Sequence, residues 1–148
     1  MISASIVLYN TDKDLLESVL ESYHPSQERL LLIIDNSPTP TDYFVNMKYV
    51  HYIFNEENIG FGAAHNIAIH KAIDLKSEYH IVLNPDIEFD TDIISELKHY
   101  CDEHPDVSYV LPKVIYPNGD LQYLCKLLPT TTDLLFRRFI PHFGHNNT

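Results

Sequence analysis

The chain has 148 residues, 45% hydrophobic and 21% charged, the composition of one globular domain; disorder, collagen and a disulfide scaffold are excluded. Lys and Arg number 10 against 21 Asp and Glu, a net charge of −11, so most of the surface repels nucleic acid and anionic lipid, while a local pocket can still hold a phosphorylated ligand with a divalent cation between them. Two cysteines, Cys101 and Cys125, no secretory leader in Met1-Ile-Ser-Ala-Ser, and no aliphatic run longer than residues 30–34 point to a cytoplasmic chain with reduced thiols and no bilayer span.

Residues 3–9 are a short apolar, partly β-branched run that reads as a buried strand. Leu15, Leu16, Val19, Leu20 and Tyr23 follow at helical spacing, with Thr11 as the expected cap and Pro25 as the stop. Residues 29–34 form a second buried strand that ends at the turn-rich Asp35-Asn36-Ser37-Pro38. Residues 49–54 read as a third strand, ending at Asn55. After the glycine-bearing loop Asn58-Ile59-Gly60-Phe61-Gly62, the small residues Ala63, Ala64, Ala68 and Ala72 mark a helix able to lie close to a sheet. Residues 79–83 form a fourth strand running into Asn84-Pro85-Asp86. Thr91 is the expected cap of a helix with Ile93, Ile94, Leu97, Tyr100 and Cys101 on one face. Residues 107–111 read as a fifth strand, and residues 113–116 and 121–124 flank Pro117-Asn118-Gly119-Asp120, a hairpin signal. In the tail, residues 134–140 read as a short core helix, with an interface or a membrane-surface contact as the alternative. The histidines lack the spacing of a dedicated zinc site; only His142 and His145 can share a helical face.

Strands alternating with helices predict an α/β domain, a Rossmann-like, mostly parallel sheet flanked by helices. Ligands of such sheets sit outside the carboxyl ends of the strands. Those positions hold Tyr9 and Asn10, Asp35 and Asn36, Asn55, and Asn84 and Asp86. Asn and Asp also serve turns and caps, but their presence at all four ends points toward a site. Pro85 biases Asn84 toward an extended conformation, in which Asn84 and Asp86 face one side together. An acid beside an amide can hold one hard cation, Mg2+ or Mn2+, and one sugar hydroxyl; a plain proline turn is the alternative. Gly60-Phe61-Gly62 is not a dinucleotide fingerprint, because His65 stands at the third glycine position and the loop follows the third strand. It leaves a helix start carrying His65 and Asn66, suited to an anion or a base edge, or simply a glycine chosen for φ.

Four blocks in this order resemble the N-terminal half of glycosyltransferase family 2, inverting enzymes with the glycosyltransferase-A fold: Ile6-Val7-Leu8-Tyr9-Asn10, Ile33-Ile34-Asp35-Asn36-Ser37, Asn58 to Asn66, and Leu83-Asn84-Pro85-Asp86. Pro112-Lys113, Pro117-Asn118-Gly119 and Leu121-Gln122 add a weaker fifth, and the pattern looks like the branch with bacterial rhamnosyltransferases and galactofuranosyltransferases. The resemblance spans residues 3–140. It implies that Tyr9 and Asn10 line a nucleotide pocket, Asp35 bonds a uracil or thymine edge, and Gly60 and Asn66 close over the nucleoside. Asn84 and Asp86 match the outer positions of an Asp-x-Asp motif, with Asp86 on a metal and Asn84, a departure from the double aspartate, on the ribose or a metal-bound water.

The same resemblance implies hexosyl or deoxyhexosyl transfer from a UDP- or dTDP-sugar to a saccharide or lipid-linked acceptor in bacterial surface-polysaccharide synthesis, in the cytoplasm and at most peripherally at the inner membrane face. Inversion needs a general base. Asp90, Asp92 and Asp102 fit caps and solvated helix faces and Asp120 a turn, so the base is expected beyond Thr148. Residues 1–148 are then the donor-binding portion of a truncated glycosyltransferase domain, binding nucleotide with metal and transferring sugar poorly. A nucleotide-sugar-binding module without transfer chemistry is the alternative.

Overall fold

The computed structural model describes residues 1–90 and 92–122. Four strands, β1 (Ile2–Leu8), β2 (Arg29–Asp35), β3 (Val50–Phe54) and β4 (Tyr79–Leu83), and three helices, α1 (Lys13–Tyr23), α2 (Phe61–Asp74) and α3 (Ile93–Glu103), alternate along the chain. The strands form one sheet in the order β3-β2-β1-β4, every pair parallel.

Both faces of the sheet are covered, as a parallel sheet requires. Ile2, Ala4, Ile6 and Leu8 of β1 and Leu31 and Ile33 of β2 pack with Leu16, Val19 and Tyr23 of α1 and Ile94 of α3. On the other face Val7, Leu30, Leu32 and Ile34 meet Ala64, Ala68 and Ala72 of α2, whose small side chains recur every four residues and let the helix sit close. Between β2 and β3 no helix forms; the connection instead drives Phe44 into the α1 face, where it stacks on Tyr52 with ring centroids 5.6 Å apart.

β1 stops one residue before the sequence suggests. Asn10 takes a left-handed φ of 50°, and the Tyr9 N–H turns to Thr11 Oγ1 at 3.2 Å. Thr11 is thereby used in the loop, and Asp12 caps α1 by accepting the Asp14 N–H at 3.1 Å. Residues 107–111 form no strand. Tyr109 is 77% exposed and Leu111 40%, and no strand among the described residues pairs with them; β-propensity is realised only where a neighbour supplies the ladder. The chain from Tyr109 belongs to a second compact unit. There the expected hairpin is present, with Tyr116 N–H donating to Asp120 O at 2.8 Å and Gln122 N–H to Val114 O at 2.9 Å around Gly119. Thr91, Cys125, and the hairpin and tail expectations on residues 123–148 lie outside the described residues.

Candidate functional site

All four strands point the same way, so their carboxyl ends share one edge. Leu8, Asp35 and Phe54 stand level across β1, β2 and β3, and Ile6 of β1 pairs with Leu83 of β4. The chain leaves β1 toward β2 and later returns to its other side as β4, so the strand order reverses at β1, the position where open α/β sheets bind ligands.

At this edge the ladder runs on for one step, Asn36 N–H to Leu8 O and Asn55 N–H to Asp35 O, both 2.9 Å. Side chains then take over. Asp35 is 2% exposed, its Oδ1 accepting the Ser37 N–H at 2.8 Å and its Oδ2 the Tyr52 hydroxyl at 2.6 Å. Ser37 Oγ accepts the Asn10 N–H at 2.9 Å, tying the end of β1 to the end of β2. Burial first, and the bond to Asp35 second, push the Tyr52 phenol up to about 12.

Asn36 is equally buried, and its amide joins three segments. It accepts from Asn55 Nδ2 at 2.7 Å and donates to Asn58 Oδ1 at 3.3 Å and Gly60 O at 3.5 Å. Asn58 Oδ1 also accepts the Gly60 N–H at 3.0 Å. This chain of amides fixes the loop that enters α2. Gly60, the residue before the helix, has φ 85° and ψ 160°, and nothing among the described residues lies within 4 Å of where its Cβ would be, so glycine is there for its backbone.

Of the residues singled out by sequence, Asn10 and Asp35 are joined through Ser37, and Gly60 is tied to Asp35's neighbour Asn36. Tyr9 is 53% exposed at the end of β1, Asn66 is exposed in the second turn of α2, and Asn84 and Asp86 are both exposed just past β4. Pro85 and Asp86 form a turn rather than the expected extended pair, as a proline after a strand end allows. Tyr52 is not legible in the sequence, because its hydroxyl meets Asp35 only through the register of β2 on β3; Ser37 stands out there as part of a turn cluster and of the second family block, without its link to Asn10.

The edge is acidic. The loops at residues 9–12, 36–37, 55–60 and 84–90 contain Asp12, Glu56, Glu57, Asp86, Glu88 and Asp90 and no Lys or Arg. Among the described residues no three His, Cys, Asp or Glu side chains gather as a metal cluster. The exposed Asp86 carboxylate therefore fits a hard cation only as a single anchor, with phosphate and water completing the shell, which is how Mg2+ is commonly held.

A family model for glycosyl transferase family 2 matches residues 3–146. The chain belongs to glycosyl transferase family 2. Its sheet and helices are those of the family's Rossmann-like glycosyltransferase-A fold, and solved structures agree. The crystal structure of S. aureus TarS 1–349 has a TM-score of 0.56 at 21% identity, covering 70% of this chain and 33% of that one. The same fragment in complex with UDP-GlcNAc has a TM-score of 0.57 at 22% identity, covering 70% and 32%. A structure of TarS matches at TM-score 0.55 and 21% identity over 70% of this chain and 20% of that one. At such identity the likeness shows the fold alone, and this family 2 chain spans about a third or less of the lengths it is compared with. No curated protein sequence matches it significantly.

Proposed function

We propose that the chain is the donor-binding portion of an inverting glycosyltransferase that uses a nucleoside-diphosphate sugar. The observation that carries the reading is the hydrogen-bonded junction of Asn10, Asp35, Asn36 and Ser37 at the strand-order reversal of a family 2 sheet. Family membership and the UDP-GlcNAc bound by a structural neighbour support a uridine or thymidine donor.

In this reading Tyr9 and Asn10 flank the nucleotide, Asp35 accepts from the imide N–H of the base, and Gly60 and Asn66 cover the nucleoside. Asn84 hydrogen-bonds the ribose or a coordinated water, and Asp86 anchors Mg2+ or Mn2+. The acid-rich edge supports that last role, since residues 9–12, 36–37, 55–60 and 84–90 contain no Lys or Arg to neutralise a diphosphate. Asp86 would hold the divalent cation, which would supply the charge that neutralises a departing diphosphate. The chain's own residues then bind and orient the donor, leaving the anomeric carbon open to an acceptor hydroxyl from the opposite face.

Transfer of a hexosyl or deoxyhexosyl group, of the rhamnosyl or galactofuranosyl kind, to a saccharide or lipid-linked acceptor of a bacterial surface polysaccharide belongs to the same reading. It sets the chain in the cytoplasm with at most peripheral membrane contact. The test is calorimetric titration with UDP and dTDP, with Mn2+ and with EDTA. Micromolar binding that needs the metal and drops about tenfold or more in Asp86→Asn is expected, from the loss of a charge-assisted contact. Absence of nucleotide binding under every condition refutes the reading.

A further inference from the structure

We infer that Tyr52 is a specificity-setting positioning residue, whose hydroxyl aims the Asp35 carboxylate at the base of the nucleotide. The inference rests on the reading above, in which Asp35 meets the base. Two bonds define the arrangement. Thr41 N–H donates to the Tyr52 hydroxyl oxygen at 3.0 Å, so the hydroxyl's own proton is directed at Asp35 Oδ2, 2.6 Å away. The ring is held in turn by its stack on the buried Phe44. Ser37 N–H secures Oδ1 at 2.8 Å.

A carboxylate has about four lone-pair sites, and these two bonds use one on each oxygen. Asp35 is only 2% exposed, so in the reading above the base would meet it over a narrow edge. A small rotation of the carboxyl plane would turn that edge away. Ser37 alone fixes one oxygen and leaves the plane free to pivot; Tyr52 fixes the second. The consequence is selectivity. Uracil and thymine present an N–H at ring position 3, which a fixed carboxylate accepts, whereas cytosine presents a lone pair there, which it repels. A site built to bond an N–H rejects the analogue lacking it far more strongly than an apolar pocket rejects a change of size.

The test is calorimetry on the full chain, with Mn2+, using UDP and CDP as probes. The proteins are wild type, Tyr52→Phe, Asp35→Asn, the double variant, and a variant with 4-aminophenylalanine at position 52. Phe keeps the stack on Phe44 and removes only the donor; the amino analogue restores an N–H donor, and thermal melts check folding of each. Tyr52→Phe is expected to weaken UDP about tenfold and to narrow the UDP-over-CDP preference by a similar factor, as loss of a hydrogen bond to a charged group would. The amino variant recovers most of that preference, and Tyr52→Phe adds no further loss on the Asp35→Asn background. Equal weakening of UDP and CDP, or the same loss with and without Asp35, overturns the inference while leaving the donor reading intact. If wild type binds UDP and Asp35→Asn changes nothing, the role of Asp35 fails and the inference with it. If wild type binds neither nucleotide, the donor reading itself is wrong.

Discussion

The entry to α2 turns on a single backbone angle. Gly60 combines φ 85° with ψ 160°, a region that only glycine enters cheaply, and open space surrounds the position of a Cβ. Gly60→Ala therefore costs about 1–3 kcal/mol through strain alone. Gly62 lies one residue inside the helix, has no positive φ, and also faces open space. Gly62→Ala should stabilise by roughly 0.5–1 kcal/mol, because alanine favours helix. Urea unfolding of both variants checks the pair, and a shift of the same sign in each would contradict the assignment. At this scale the sequence was partly legible. Asp35, Asn36 and Asn10 announce themselves because polar residues after buried strands need a reason. Tyr52 does not, since a tyrosine inside an apolar strand reads as core until the strand beside it is known.

Helices and strands were more legible than their caps and partners. The four parallel strands and three helices follow from apolar runs and helical spacing, whereas residues 107–111 have the residues of a strand and no neighbour to complete one. The face between β1, β4 and α2 hides something the apolar pattern of β1 conceals. Ser3 and Ser5 are fully buried there. Ser3 Oγ lies 2.8 Å from His80 Nδ1, and Ser5 Oγ lies 2.8 Å from both His80 Nε2 and His65 Nδ1. One tautomer set satisfies this run: Ser3 donates to Tyr79 O, 3.4 Å away, His80 Nδ1–H to Ser3, Ser5 to His80 Nε2, and His65 Nδ1–H to Ser5. His65 Nε2 then carries a buried lone pair with no partner among the described residues. Burial, and secondarily the neighbouring His65, lower the His80 imidazole to about 4, and burial lowers His65 as well. In the folded protein these rings stay neutral, while the unfolded chain takes up protons from about pH 6.5 downward. Their contribution is thus complete above pH 6.5 and is lost as pH falls toward 4. For His80 alone, allowing for its partial exposure, the contribution amounts to about 2 kcal/mol. His80→Gln, which keeps both a donor and an acceptor, should flatten the fall of unfolding free energy across that window. An unchanged slope in denaturant titrations between pH 4 and 6.5 would assign the acid sensitivity elsewhere.

Over the whole molecule the net charge of −11 opposes the anionic donor proposed above. Lys and Arg are absent from residues 9–12, 36–37, 55–60 and 84–90 at the strand ends, and Lys13 at the start of α1 is 3.5 Å from Glu17 and sits over the Tyr43 ring. A nucleoside diphosphate approaching this edge without a cation meets like charge both locally and from the whole surface. Such repulsion acts over the Debye length, which shrinks from roughly 30 Å at 0.01 M salt to roughly 8 Å at 0.15 M. In EDTA, then, UDP affinity should rise with monovalent salt, on the order of tenfold across that range. With saturating Mn2+ the repulsion is largely cancelled and the dependence should shrink, and uridine, which has no phosphate, should show almost none. Direct phosphate capture by Lys or Arg would give the opposite slope, with affinity falling as salt rises. Titrations of UDP and uridine at several salt concentrations, with and without metal, therefore read whether the diphosphate is held through a cation or by the protein's own positive charge. A falling UDP affinity in EDTA would remove the electrostatic case for Asp86 as a metal anchor, whatever the fold.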